Sequence, residues 1–392
     1  MLNIDLEKDV WRWCPNVPRR PGFAGFYPLS KDLDSVKEAL TNNQKPPQCN
    51  TCWHKEDIGF QSYRTSNQGN IPYQYATGLR FLDVFLGDQC NMNCATCGPV
   101  ASSRWVELYQ AEGADAAFPR QAFRKADIDI VASFNKFLSL LTDNVQTLQR
   151  LNISGGEPTS NSLFYRMLTH LDGLGTVTRR PVLRFVTSAN YLSNLPITVL
   201  LSKLKSQGWN INVVVSFDAV GSEQEFVRAG LNWNTFETNL TSLITLDLCQ
   251  EINVVVSAIN TSMLGNIPIW LEEKGFLDKV KPNLIFATDP FGIAMLGGMG
   301  LYLPPAWRAA HKEHPVWKDF ITTVNKNLRK IRWQTPDAVK LDALEKQLRW
   351  YAKISKLEIP TAVKKIFYLL DLVKRQPLLF SRQIVQQEDD VE

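Results

Sequence analysis

The chain has 392 residues, 44% apolar and 21% charged, a balance that excludes a disordered polymer and suits one large catalytic domain with appendages. Its 43 Lys and Arg against 39 Asp and Glu leave a net charge of +4, too small to point to nucleic acid yet compatible with an acidic substrate. No apolar run approaches the roughly 18 residues of a membrane span, and the charged start MLNIDLEKDV lacks a signal-like stretch. A soluble, cytoplasmic protein is therefore expected, and in a reducing compartment seven cysteines raise the question of metals rather than disulfides.

Along the chain, Cys14 comes first, then CNTC (49–52) after the turn-forming QKPPQ (44–48). Residues 79–86 are rich in β-formers and predict a strand that ends at Gly87-Asp88. The loop CNMNCATC follows, carrying Cys90, Cys94 and Cys97 at C-x3-C-x2-C spacing. Short spacings let thiolates converge on one metal centre. Three of them is an informative number. Each iron of a cubane normally takes one external ligand, so three cysteines leave one iron open for chemistry. A structural zinc knuckle with a fourth ligand elsewhere fits the spacing alone equally well.

Downstream the pattern alternates. Helices are predicted over 100–110, 128–146, 162–174, 196–207, 236–247 and 266–274, and strands over 148–153, 182–187, 211–217, 252–259 and 283–287. Consecutive valines at 213–215 and 254–256 suit parallel strands buried on both faces. Six strand–helix units between 75 and 290 predict an α/β fold, an open, partial (β/α)6 barrel of TIM type. The second predicted strand runs into GGEP (155–158), whose glycines permit the close backbone approach of a ligand, although the motif alone is more simply an ordinary tight turn. Polar residues (Ser188, Asn190, Asp218, Asn260) recur at the carboxyl ends of the later strands, where a ligand would lie.

Beyond the strands, 288–310 includes a Gly-rich segment that suits a lid or a plain connection. His311 and His314 read as an exposed helical pair rather than a metal site. Residues 316–378, helical and rich in Lys and Arg, read as a solvated covering face, and 386–392 as a disordered acidic tail. Cys249 reads as a buried apolar residue. Three regions are expected: an amino-terminal extension (1–74), the strand–helix core (75–290) and a carboxy-terminal loop and helical cover (291–392).

Taken together, residues 79–290 resemble the radical S-adenosylmethionine (SAM) superfamily. CNMNCATC resembles its cluster loop, which implies a [4Fe–4S] cluster on Cys90, Cys94 and Cys97, with the open iron taking the amino and carboxylate groups of S-adenosylmethionine. Gly155, Gly156, Glu157 and Pro158 resemble its "GGE" turn at the methionine amino group. The stretch TSAN, with Ser188 and Asn190, is similar to its "TNG" segment, Ser-Ala replacing Asn-Gly. Ser216, Asp218 and Arg228 resemble its "SLDG … R" stretch, where a serine and an arginine contact ribose and carboxylate. Asn260 lies where a polar residue of the fifth strand often meets ribose or adenine. Thr96 departs from the aromatic residue usual before the last cysteine.

The segment from Pro47 through Arg64 resembles the pattern P-x-C-x-x-C-W-x-x-E-x-x-G-x-x-S-x-R of Twitch or SPASM-like relatives. That likeness implies a second, auxiliary iron–sulfur cluster on Cys14, Cys49 and Cys52, with His54 or Cys249 as a candidate fourth ligand; zinc, or no metal, is the alternative. The resemblance implies reductive cleavage of S-adenosylmethionine to a 5′-deoxyadenosyl radical. It further implies hydrogen abstraction from a peptide or small molecule more readily than a nucleic acid, and an electron donor such as flavodoxin or ferredoxin. A zinc-stabilised binding module for protein or nucleic acid explains the cysteines but not GGEP or the polar strand ends.

Overall fold

The computed structural model describes residues 2–6, 10–12, 25–26, 35, 38–40, 42, 44–57, 62, 79–99, 101–111, 129–192, 197–257, 259–260, 263–286, 309–311, 313–315, 317–318, 320, 322, 338–361 and 363–364. Cys14 lies outside them, as does the side chain of His54. The chain divides into two compact units. The first comprises Met1–Asp88, Arg124–Phe185 and Val199–Ile211; the second comprises Gln89–Phe123, Val186–Thr198 and Asn212–Glu392.

In the first unit, β4 (Phe81–Phe85), β5 (Arg150–Ser154) and β6 (Val182–Thr187), whose last two residues fall in the second unit, run parallel. The register aligns Leu82, Leu151 and Leu183, then Val84, Ile153 and Phe185. Side chains alternate between faces along a strand, so these six share one face, and all are fully buried. The intervening row, Asp83, Asn152 and Arg184, is polar, and Arg184 Nη1 donates to Asn152 Oδ1 at 3.4 Å.

Helices α3 (Ile130–Asn144) and α4 (Ser162–Gly173) belong to the same unit and start at side-chain caps. Asp129 accepts from the amides of Val131 and Ala132, and Asn161 from that of Leu163. Each helix buries one stripe at helical spacing: Phe134, Phe137 and Leu141, and Phe164, Met167, Leu168 and Leu171. Helix α5 (Ile197–Ser206) buries Leu201 and Leu204 in the same way. Phe164 lies against Phe185 with ring centroids 4.8 Å apart. Burying each such side chain stabilises the fold by about 1.5–3 kcal/mol.

The charged start of the chain also forms strands. β1 (Leu2–Asp5) pairs in parallel with β4, Ile4 opposite Val84, then β2 (Val10–Arg12) pairs antiparallel with β1 and β3 (Gly25–Phe26) parallel with β2. Four residues around one fully buried Ile4 are too short to show a strand period in sequence.

In the second unit β7 (Asn210–Ser216), whose first two residues fall in the first unit, β8 (Glu251–Val256) and β9 (Lys281–Phe286) are parallel, Val215 opposite Ile252 and Val254 opposite Leu284. Val213, Val214 and Val215 are all fully buried, as a strand covered on both faces requires. Phe217, the α7 (Trp233–Thr245) residues Trp233 and Phe236, and Trp270 of α8 (Asn266–Glu273) form an aromatic group with centroids 5.3–6.2 Å apart. The six strands expected between 79 and 287 are all present, within three residues of the expected bounds, and the fold class is α/β. Among the described residues no helix is long and apolar enough to cross a membrane.

Two expectations for the carboxy-terminal part need correction. The helix Ala338–Ser355, numbered α9 here, is not simply a solvated face: Leu348, Tyr351, Ala352 and Ile354 are buried. Its charged residues sit between apolar ones at helical period, so a count of charges hides the stripe. Nor are His311 and His314 an exposed pair. Their side chains are only 15% and 11% exposed, and each Nε2 lies 3.1 Å from a carboxylate, Glu272 and Asp278 respectively.

Candidate metal and cofactor site

The cysteine loop is held by residues far from it in sequence. Asn93 N donates to Ala229 O at 3.0 Å and Ala95 N to Val227 O at 2.8 Å, so the residues flanking Cys94 pair with those flanking Arg228. The partner segment leaves α6 (Ser222–Val227) and ends at Gly230. There φ is +97°, and an added Cβ would stand 3.0 Å from Asn91 O, so both the backbone conformation and the close approach to the loop require glycine.

On the loop's other side, α2 (Ser103–Ala111) fixes it through its first turn. Ser103 Oγ donates to Cys90 O at 3.0 Å and accepts from Cys90 N at 3.1 Å, Ser102 Oγ donates to Met92 O at 2.6 Å, and Trp105 Nε1 donates to Cys94 O at 3.1 Å. From α9, the Tyr351 hydroxyl donates to Phe226 O at 2.8 Å and accepts from Ala229 N at 3.3 Å, while Asn93 Nδ2 donates to Ser355 Oγ at 2.7 Å. Trp350 stacks on Trp105.

Each thiol has its own neighbour. Cys90 Sγ lies 3.7 Å from Met92 O, Cys97 Sγ 3.8 Å from Gly98 O, and Cys94 Sγ accepts from Arg228 Nη1 at 3.8 Å. Burial pushes the Cys94 thiol well above the ordinary thiol range, with the Arg228 charge pulling the other way, and burial raises Cys97 as well. Such thiols stay protonated unless a metal displaces the proton. Among the described residues no three His, Cys, Asp or Glu side chains are grouped as ligands of a single metal ion.

Beside Cys94 lies a buried polar network. Arg228 Nη2 is 2.8 Å from Asp218 Oδ2, Asp218 Oδ1 accepts from Val255 N at 2.7 Å, and Arg228 Nε is buried with no partner among the described residues. Burial raises the Asp218 carboxyl, and the Arg228 charge opposes that rise. Asn260, fully buried, donates to Asp218 O at 2.9 Å and Val255 O at 2.8 Å and accepts from Ser257 N and Oγ, so its amide is committed within the protein. Gln224, with no signal in the sequence, knits the turn: Oε1 accepts from the amides of Asp218 and Ala219, and Nε2 donates to Ser216 O.

Ser188 is buried. Asn190 Nδ2 donates to Gly230 O at 3.0 Å, and its Oδ1 accepts from Asn232 N at 3.1 Å. Between them Ala189, where the resemblance has glycine, adopts a φ of +56°.

In the first unit the GGEP turn combines a backbone contact to Gly87 with a local cap. Gly155, at φ +154°, brings its backbone so close to Gly87 O that an added Cβ would stand 2.7 Å away, and Gly156 N donates to that oxygen at 2.8 Å. Buried Glu157 accepts from Thr159 N at 3.1 Å and Thr159 Oγ1 at 2.6 Å, capping the 3-10 turn that Pro158 starts.

Cys49 ends a second 3-10 turn (Pro47–Cys49), and Cys52 lies one turn into α1 (Asn50–Asp57), buried. The Ser62 hydroxyl donates to Glu56, so two positions of the pattern around these cysteines bind each other. Cys249 is buried, its thiol pushed up to about 12 by burial, which leaves it protonated and inert.

No family model and no curated protein matches the chain. Among solved structures it is similar to SuiB of Streptococcus suis bound to S-adenosylmethionine, at 14% identity and a TM-score of 0.40, covering 75% of this chain and 59% of that one. It is also similar to SuiB bound to precursor peptide SuiA, at 14% identity and a TM-score of 0.39, covering 74% and 57%. A third is histidine-tagged anSMEcpe with bound AdoMet, at 18% identity and a TM-score of 0.37, covering 55% and 53%. The chain thus spans less than two thirds of the length of each.

Proposed function

We propose that the chain is a radical S-adenosylmethionine enzyme whose [4Fe–4S] cluster is held by Cys90, Cys94 and Cys97 and whose substrate is a peptide or small molecule. The observation that carries this reading is the pairing of the loop around Cys94 with the segment around Arg228, which sets a cation beside the middle thiol. Three soft donors within eight residues suit a cluster, which takes one ligand per iron, whereas a zinc site would need a fourth donor. When bound, such a cluster supplies the electron that cleaves the cofactor's sulfonium to a 5′-deoxyadenosyl radical.

The chain's own residues hold and shape the site. Ser102, Ser103 and Trp105 fix the loop carbonyls, and the buried aromatic group of Trp105, Tyr109 and Tyr351 keeps water from the loop's rear face. Arg228 Nε, buried and with no acceptor among the described residues, is a donor that an incoming acceptor would satisfy. An auxiliary cluster on Cys14, Cys49 and Cys52 belongs to the same proposal.

The test is anaerobic reconstitution with iron and sulfide, followed by dithionite and S-adenosylmethionine. About four irons per chain, or about eight if the auxiliary site fills, together with 5′-deoxyadenosine that Cys94→Ala does not make, is the expected result. Zinc without product would make this a metal-stapled binding protein.

A further inference from the structure

We infer that Arg228, anchored by Asp218, acts on the sulfur of Cys94 and so raises the reduction potential of the cluster, as a positioning residue rather than a ligand of the cofactor's carboxylate. The inference rests on the function proposed above. The guanidinium is fixed from several sides. Asp218 grips Nη2 at 2.8 Å and is itself fully buried, held by Val255 N on its side chain and by Asn260 on its backbone oxygen. The Arg228 amide donates to Gln224 O at 2.9 Å.

The loop is tied to the same segment in register. Asn93 and Ala95 bond Ala229 and Val227, so Cys94 and Arg228 face each other across two backbone hydrogen bonds and cannot drift apart independently. Nη1 then reaches Cys94 Sγ at 3.8 Å from a side chain only 11% exposed. Two of the three guanidinium nitrogens are thus committed, to Asp218 and Cys94, and Nε is buried with no acceptor among the described residues.

A fixed cation and N–H donor beside a thiolate ligand favours the redox state with more negative charge. Reduction adds one electron, delivered by an external one-electron donor of the reduced flavin or iron–sulfur class, and no bond forms or breaks. The guanidinium therefore makes that electron easier to accept, and a neutral replacement lowers the potential.

Because Arg228→Gln alone would strand a buried carboxylate, the main variant is the neutral pair Asp218→Asn with Arg228→Gln, accompanied by Arg228→Lys. The full chain is reconstituted anaerobically, iron and sulfide are counted, and the midpoint potential is read by EPR-monitored titration with S-adenosylmethionine absent. The neutral pair is expected to retain iron while its reduced-to-oxidised ratio at a fixed applied potential falls about tenfold, a downward shift of about 59 mV for one electron. Arg228→Lys, which keeps the charge but not the planar fork, should fall between it and wild type.

A potential equal to wild type with iron retained, alongside weakened S-adenosylmethionine binding, would overturn the inference and return Arg228 to the cofactor. If the neutral pair loses its iron while its circular dichroism stays native, Arg228→Lys decides, and a wild-type potential there counts against the inference. A wild-type chain that takes up no iron and sulfide overturns the function itself, a separate outcome.

Discussion

The GGEP turn and the cysteine loop are both short, glycine-associated segments after strands, yet they differ in how many distant partners hold them. The GGEP turn leans on Gly87 O, which accepts from Gly156 N, and on the cap that Glu157 forms with Thr159, two residues away. The cysteine loop instead depends on Val227 and Ala229, more than 130 residues later, and on Tyr351 and Ser355, later still. A turn braced by one backbone neighbour and its own cap needs few partners. A loop that must present three thiols has little spare bonding capacity of its own, so its shape is imposed from outside.

The strongest way to break the imposed loop is Trp105→Ala. This removes a fully buried indole and its bond to Cys94 O and should cost about 3–5 kcal/mol in a denaturant titration. Retention of wild-type stability would show that the aromatic group is not a brace. The glycines separate the two regions more sharply. Gly155→Ala meets backbone at 2.7 Å and Gly230→Ala at 3.0 Å, both at positive φ, so each should lose about 1–3 kcal/mol. Only Gly230→Ala should also impair iron uptake by the cysteine loop; equal uptake in both would erase the distinction drawn here.

Tyr351→Phe leaves Ala229 N and Phe226 O buried without the hydroxyl and should cost about 1–3 kcal/mol, read from the shift in unfolding midpoint. The smallest effect has the opposite sign. Ala189→Gly relieves a φ of +56° and should raise stability by up to about 1 kcal/mol; a loss would mean that the strain is offset by contacts of the Ala189 methyl group.

Much of the strand–helix core was legible because its signals are periodic and local. The consecutive valines 213–215 announced a doubly covered strand, and Val182–Thr187 was read to the residue. The glycines of GGEP were read as room for a ligand's close approach; that Gly155 packs against the backbone of Gly87 was not legible. Asn260 and Asp218 were legible as polar residues at strand ends; their commitment to Val255 and to each other was not, because a sequence does not say where an amide's valences go. Gln224, Ser102 and Tyr351 carried no signal, since each is an ordinary residue of a helix or its start until a partner is named.

The sequence alone determined where three thiols lie close together and which segments become parallel strands, since spacing and hydrophobic period are properties of neighbours along the chain. Only the tertiary structure decided that Cys94 faces Arg228, that Asp218 grips that arginine, and that α9 buries a stripe of side chains instead of lying wholly in solvent. Those facts depend on hydrogen bonds and burial that the order of residues along the chain does not display, and the apolar surface and polar valences that drive them are satisfied only once the chain has folded.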